Sequence, residues 1–197
     1  MAPQNKVSYG SVRIIAGRWR GRKLSVTEVE GLRPTPDRVR ETIFNWLQMT
    51  IGQTCCLDLF AGSGALGFEA ASRGADSVTF VESNKQAVTQ LRANCQQLQA
   101  DNCHVVHQDA IEFLSAHSDA KKYDIVFIDP PYSADSWTSI AQLLVQHELI
   151  AEGGYIYLEC PSEQDMPLLP KQWHLLKDKQ AGAVRYCLFI NEERGAQ

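Results

Sequence analysis

From Thr54 onward, hydrophobic and polar positions switch repeatedly between a short-strand pattern and a helical one. Apolar runs at Cys55–Phe60, Ser77–Glu82, His104–His107, Asp124–Ile128 and Tyr155–Glu159 read as strands. Between them, Ala65–Arg73, Asn84–Gln99, Ala110–His117 and Ser136–His147 read as helices. Ala87, Leu91 and Leu98 share one face of the second, and Ile140, Leu143 and Leu144 share one face of the last. Gly153-Gly154 is expected to break the chain before the fifth strand. Repeated β–α units imply a parallel sheet covered on both faces. The pattern then changes: Trp173–Lys179 and Val184–Asn191 are strand-like runs joined around Gly182, a hairpin signal that makes the last strand antiparallel to its neighbours.

Ahead of this alternation lies a different region. Val12–Ala16 and Lys23–Val26 flank the loop Gly17–Arg22 as a small hairpin, and Arg33-Pro34-Thr35-Pro36 is extended. Pro36 suits a first helical position with Thr35 as its N-cap, opening a helix over Asp37–Met49 that turns Val39, Ile43, Trp46 and Leu47 to the core. The chain thus divides into a basic N-terminal extension, 1–36, and an α/β domain, 37–197.

Composition adds a compartment and an asymmetry. With 197 residues, 44% hydrophobic and 21% charged, the chain can bury a full single-domain core. It has no run of membrane-spanning length, and its polar start does not resemble a secretory signal, so the expected compartment is the cytoplasm. The six cysteines show neither a C-x-x-C pair nor a disulfide framework, and Cys55 and Cys56 should point to opposite faces of a strand. Cys103-His104 with His107 reads as a half-buried strand rather than a zinc site, and no metal is expected. The net charge of −4 conceals a division. Residues 1–40 hold nine basic and three acidic side chains, whereas the remainder holds ten basic and twenty acidic. A basic end on an acidic body points to a polyanionic partner.

Two stretches carry chemistry. Asp58-Leu59-Phe60-Ala61-Gly62-Ser63-Gly64-Ala65-Leu66-Gly67 places G-x-G-x-x-G between a strand and a helix, and Glu82 ends the next strand twenty residues beyond Gly62. That context fits a nucleotide site: glycine lets the backbone approach a ligand, and the acid can take ribose hydroxyls. The second stretch, Asp129-Pro130-Pro131-Tyr132, follows the apolar run Tyr123–Ile128. Two prolines stiffen the turn and withhold N–H groups, so an acid and a ring stand beside carbonyls with acceptor capacity. This is a socket for a flat ring bearing an amine, with Asp129 and the Pro130 carbonyl accepting its hydrogens and Tyr132 stacking on its face. Asp58, four residues before Gly62, suits a cationic cofactor better than the pyrophosphate of a dinucleotide. A cationic methyl donor beside an amine socket forms a coherent site.

These motifs together resemble the class I S-adenosylmethionine-dependent amino-methyltransferases. Ile14-Ile15-Ala16-Gly17-Arg18-Trp19-Arg20-Gly21-Arg22 and Arg33-Pro34-Thr35-Pro36-Asp37-Arg38-Val39-Arg40-Glu41-Thr42 further resemble the bacterial 16S ribosomal RNA guanine-N2 methyltransferases of the RsmD type, along nearly the whole chain. The resemblance implies a Rossmann-like fold whose seven-stranded, mostly parallel sheet has its last strand antiparallel, plus the N-terminal hairpin and helix. It implies S-adenosylmethionine as cofactor, lined by Asp58, Phe60, Gly62, Ser63, Gly64, Glu82 and Ser83. Asp109 and Ala110 would lie at the adenine, and Thr35 and Arg38 over the methionine end; Asp109 could equally cap the following helix, and Arg38 could equally hold a phosphate. Catalysis would fall to Asp129, Pro130, Pro131 and Tyr132. Arg18, Trp19, Arg20 and Arg22 would meet 16S ribosomal RNA, within a small-subunit particle, because charge and an aromatic ring together suit phosphate contact and stacking; packing is the other role open to Trp19.

The implied reaction moves a methyl group to guanine N2. That nitrogen is a weak nucleophile, so alignment would supply most of the acceleration, on the order of 7–11 kcal/mol. Two other readings share some of these features. A DNA adenine-N6 or cytosine-N4 methyltransferase shares the tetrapeptide but usually needs an added reading domain. A non-catalytic RNA-binding assembly factor would not need the complete glycine and D-P-P-Y motifs.

Overall fold

The computed structural model describes residues 9–27, 36–116, 122–131 and 136–192. Thr35 and Tyr132, both expected at the site, lie outside the described residues. After the hairpin β1 (Tyr9–Arg13) and β2 (Lys23–Thr27), helix α1 (Asp37–Trp46) leads into the alternation anticipated from the pattern. This runs β3 (Cys55–Asp58), α2 (Ala65–Ser72), β4 (Ser77–Glu82), α3 (Lys85–Leu98), β5 (Cys103–His107), α4 (Ala110–Ala116), β6 (Tyr123–Ile128) and α5 (Trp137–Gln146). The chain ends with β7 (Ile150–Pro161), β8 (Trp173–Ala181) and β9 (Val184–Asn191). The large sheet has seven strands in the order β5-β4-β3-β6-β7-β9-β8, parallel except that β9 runs antiparallel to both its neighbours. This is a Rossmann-like fold. From β3 the chain moves outward to β4 and β5, then returns to β6 on the other side. The switch point therefore falls between β3 and β6, where a crevice opens at the strands' C-terminal ends.

Two hydrophobic layers cover the sheet. Residues of α1, α2 and α3 pack on one face with Phe80, Phe127, Tyr157 and Leu188. Residues of α4 and α5 pack on the other with Leu57, Val126, Ile128 and Leu158. The strand alternation is visible at Cys56 and Cys55, which join opposite layers. Among the described residues, no helix is long and apolar enough to cross a membrane.

Four boundaries differ from the sequence expectation, each for an identifiable reason. The first strand is Tyr9–Arg13 rather than Val12–Ala16, because the Ile15 and Ala16 N–H groups donate instead to the Glu69 carboxylate at 2.8 and 3.0 Å. Pro36 is the N-cap of α1 rather than its first residue: its ψ is 146°, and its carbonyl accepts from Val39 and Arg40. The same helix stops at Trp46, and a turn carries Leu47 and Ile51 into the core. Gly153-Gly154 does not end a segment but lies within β7. There the register slips between Tyr123↔Ile150 and Ile125↔Tyr155, and Gly153 takes a φ of 72°. A Cβ on Gly154 would lie 2.8 Å from the Ala151 carbonyl, so the bulge requires a glycine there.

The N-terminal hairpin shares the main core. Ile14, Trp19 and Leu24 are buried in the same cluster as α1, α2 and α3, and Asn94 of α3 donates to the Ser25 carbonyl at 3.0 Å. Arg40, one of the nine basic residues near the N-terminus, is 1% exposed. It donates to Asp37 (2.6 Å) and to the Arg13 carbonyl (3.0 Å), beside the fully buried Glu69, which also pairs with Arg73. Arg40 therefore locks α1 and α2 to the hairpin and is no part of a polyanion-facing surface. The boundary at residue 36 marks a change of sheet, not of core.

Candidate active site

Strands β3 and β4 end in Asp58 and Glu82, β6 runs directly into Asp129, and β7 carries Glu159 two residues before its end at Pro161. A parallel sheet brings these ends to one edge, so four carboxylates gather along the crevice at the switch point.

The glycine turn is built between Asp58 and α2. Gly62 and Gly64 take φ of 50° and 76°, left-handed values that glycine adopts without a Cβ penalty. Space matters as much as angle. A Cβ on Gly64 would stand 2.5 Å from the Phe68 ring and 2.7 Å from Leu91, and one on Gly67 would stand 2.3 Å from the Phe80 ring. Glu82 fastens the turn from the next strand: Oε2 accepts from Gly62 N–H at 2.8 Å, and Oε1 accepts from Asn84 N–H at 2.7 Å. Asn84 in turn caps α3 through the N–H groups of Gln86 and Ala87. Ser63 is buried, Phe60 is half-buried against the α4–α5 layer, and Ser83 is exposed, its carbonyl 3.0 Å from His107 Nε2.

Asp58 lies under the turn, 3% exposed, with Oδ2 accepting from Gly67 N–H at 3.0 Å. Burial pushes its carboxyl up to about 7; the Gly67 N–H opposes the shift and the neighbouring Glu82 charge adds to it. Such a group takes its proton readily until a cation arrives beside it. Asp109 caps α4, its Oδ1 accepting from Ile111 at 2.8 Å and Glu112 at 3.3 Å, next to buried Ala110. The helix-capping role is thus visible in the contacts.

Past β6, Asp129 is half-exposed, Pro130 buried and Pro131 exposed. The pairing Ile128↔Leu158 carries forward to bring Asp129 alongside Glu159, a residue that sequence reasoning passed over. Glu159 is 6% exposed, its Oε2 accepting from the Tyr157 hydroxyl at 2.7 Å. Its signal in the chain was an acid closing the apolar run Tyr155–Leu158, although β7 itself runs on to Pro161.

The arginines divide differently from the expectation. Helices α2 and α3 run away from the crevice, and the loop Gly17–Arg22 docks on their far ends. Arg18 N–H donates to the Ser72 carbonyl at 2.7 Å and Arg22 Nη2 to the Gln97 carbonyl at 3.1 Å. Cations there complement the negative ends of the helix dipoles. The α3 helix alone puts about 20 Å between its two ends. Arg18, Arg20 and Arg22 therefore stand at the edge opposite Asp129. Trp19 is 5% exposed beneath the Arg18 guanidinium, 4.1 Å from the ring centre, so it is a core residue and not a stacking platform for a base.

Arg38 also moves. It lies about 200° around α1 from Arg40, which faces α2, so it turns away from the glycine turn. It lines a groove of about 280 Å³ with Thr42, Lys179 and Tyr186 instead. The β8–β9 turn that closes this groove sits beside the end of β7, through Pro161↔Val184, and so at the crevice edge.

Comparison with known proteins agrees with this architecture. The family model described as "Conserved hypothetical protein 95" matches residues 12–190. The chain is 47% identical over 185 residues to the ribosomal RNA small subunit methyltransferase D of Haemophilus influenzae, covering 92% of this chain and 95% of that protein. It is 43% identical over 195 residues to the Escherichia coli protein of the same name, covering 99% and 98%. A solved structure described as a putative methyltransferase from Escherichia coli superposes with a TM-score of 0.87 at 42% identity, over 93% of this chain and 99% of that one. With matches of this identity spanning nearly its whole length, the chain belongs to the ribosomal RNA small subunit methyltransferase D family.

Proposed function

We propose that this protein transfers a methyl group from S-adenosylmethionine to the N2 amine of one guanine in 16S ribosomal RNA, acting in the cytoplasm on a small-subunit particle. The observation that carries this reading is the convergence at one sheet edge of the glycine turn, tied by Glu82, with Asp129-Pro130 across the switch point. The donor set fits the cofactor. Gly62 and Gly64 leave room for an adenosine against the backbone, Glu82 offers acceptors to ribose hydroxyls, and Asp58, poised near neutrality, favours a cationic centre. When bound, S-adenosylmethionine supplies an electrophilic methyl group on a sulfonium.

The remaining work belongs to the chain. Asp129 and the Pro130 carbonyl accept the two amine hydrogens, which directs the N2 lone pair toward the crevice, with Tyr132 proposed to hold the ring plane. As the nitrogen gains its methyl it becomes acidic, and Asp129 or water takes the proton. Alignment contributes the larger part of the rate. The base must leave any stack to enter, so the target is single-stranded or readily flipped. Arg38 and Lys179 line one groove at the crevice edge, which supports a role for them in holding phosphates that flank the target. Arg18, Arg20 and Arg22 can reach only a substrate large enough to extend to the opposite edge, as a ribosomal particle does.

Asp129→Ala is the test. It should abolish methyl transfer to small-subunit particles lacking the modification, while calorimetry shows cofactor affinity within a few-fold of the parent. Activity in that variant would sink the assignment.

A further inference from the structure

A socket for an exocyclic amine does not by itself distinguish guanine from adenine or cytosine, since all three carry one. We propose that Glu159 is the residue that makes this choice, by accepting the guanine N1–H beside the amine held at Asp129; the inference rests on the guanine-N2 reading above.

Position comes first. Strands β6 and β7 are parallel and in register through Phe127↔Tyr157 and Ile128↔Leu158, so Asp129, just past β6, and Glu159, near the end of β7, stand side by side. Backbones at that spacing stand about 4.8 Å apart. The face is also the right one. The Phe127 and Tyr157 rings meet edge-on, with centroids 6.2 Å apart, in the layer beneath α1. Glu159 lies two residues beyond Tyr157 and on the same face, as its bond to the Tyr157 hydroxyl confirms. Asp58, bonded to Gly67 of α2, shares that layer.

Burial supplies the second argument. Glu159 is only 6% exposed, a setting of low dielectric in which a hydrogen bond to a ligand donor counts for more than it would in water. The Glu159 backbone is held independently, its carbonyl accepting from Trp137 Nε1 at 2.8 Å in the opposite layer. Tyr186 lies across from it on β9 and stacks on Trp46 with centroids 5.7 Å apart, closing the far side. The Tyr157 bond occupies Oε2 and leaves the direction of the carboxylate fixed.

Chemistry decides the ligand. Guanine presents two adjacent kinds of donor on its Watson–Crick edge, the N2 amine and N1–H. Adenine and cytosine present an amine next to a ring nitrogen that can only accept. Two neighbouring acids match the first arrangement and repel the second, because a carboxylate would face a lone pair. A site that hydrogen-bonds one donor rejects an analogue lacking it far more strongly than an apolar pocket could.

The test uses small-subunit particles reconstituted with 16S RNA carrying either guanine or 2,6-diaminopurine at the methylated position. Diaminopurine keeps the 2-amine but replaces N1–H with an acceptor. The parent enzyme should favour guanine by about a hundredfold or more in kcat/KM. Glu159→Gln can donate to the acceptor, so the ratio should fall by roughly tenfold to a hundredfold, losing on guanine and gaining on diaminopurine. Tyr157→Phe releases the carboxylate that the hydroxyl aims, so the ratio should fall in the same direction but by less, whereas a packing defect alone would slow both bases together and leave the ratio unchanged. A parent enzyme that methylates both bases equally well overturns the proposal without any variant, as does an unchanged ratio in a Glu159→Gln enzyme with parental cofactor affinity. A parent enzyme that methylates no guanine N2 overturns the functional reading, and this inference with it.

Discussion

Replacing Glu82 with glutamine should reveal a group that holds the cofactor turn together before any cofactor arrives. Its two oxygens each accept one backbone N–H, from Gly62 at 2.8 Å and Asn84 at 2.7 Å. Hydrogen bonds to a charged group contribute about 1.5–3 kcal/mol each. Glutamine can keep one acceptor but must aim its NH₂ group at the other N–H, setting donor against donor. Since the residue is only half-buried, water offsets part of the loss, and the expected cost to the unliganded protein is about 2–4 kcal/mol. Alanine leaves both N–H groups to water, so Glu82→Ala should be no more destabilising than Glu82→Gln. Urea unfolding followed by tryptophan fluorescence measures the stability. Titration calorimetry measures S-adenosylmethionine affinity, which should fall by about tenfold or more in both variants, since Gly62 is no longer held and the ribose loses its acceptor. An unliganded Glu82→Gln protein within about 0.5 kcal/mol of the parent would refute the reasoning, because the turn would then stand without the carboxylate.

Two further perturbations separate the remaining claims. The folded-state pKa of Asp58, about 7, lies above its ordinary value of 3.8, so its contribution to stability is fully present at low pH and is lost as pH rises toward 7. Relative to Asp58→Asn, the unliganded parent should lose about 1 kcal/mol per unit between roughly pH 4 and 7, and its cofactor affinity should strengthen over the upper part of that range; parallel stability curves for the two proteins would contradict this. Substituting Arg38 and Lys179 together by alanine should reduce the slope of log affinity against log salt for small-subunit particles by about one to two, more than Arg20→Ala with Arg22→Ala does. The reverse order would place the main RNA contact at the far edge.

What could be read from the chain follows from how far each signal reaches. Strand and helix periods are local, so β3 to α5 and the β8–β9 hairpin were legible within a residue or two. The acid-ended strands and the glycine turn were legible as well, because a parallel sheet obliges strand ends to share an edge. The exceptions depended on partners distant in sequence. Ile15 and Ala16 left their strand for Glu69, and β7 ran through its two glycines because β6 offered a shifted register.

The sequence by itself determined the fold, the family and the glycine turn, and it marked the Asp129-Pro130-Pro131 stretch after β6 as the proposed socket, since the signals for the two stretches are each written within one β–α unit. Only the tertiary structure decided which end of the molecule each charge occupies. A basic loop looks alike whether it docks at the start or the end of a helix, and here contacts from Arg18 to Ser72 and from Arg22 to Gln97 carry it to the edge away from Asp129. The same holds for Trp19 in the core, Arg40 beside Glu69, and Glu159 beside Asp129. Burial and strand pairing are properties of the assembled layers, and no window of the chain contains them.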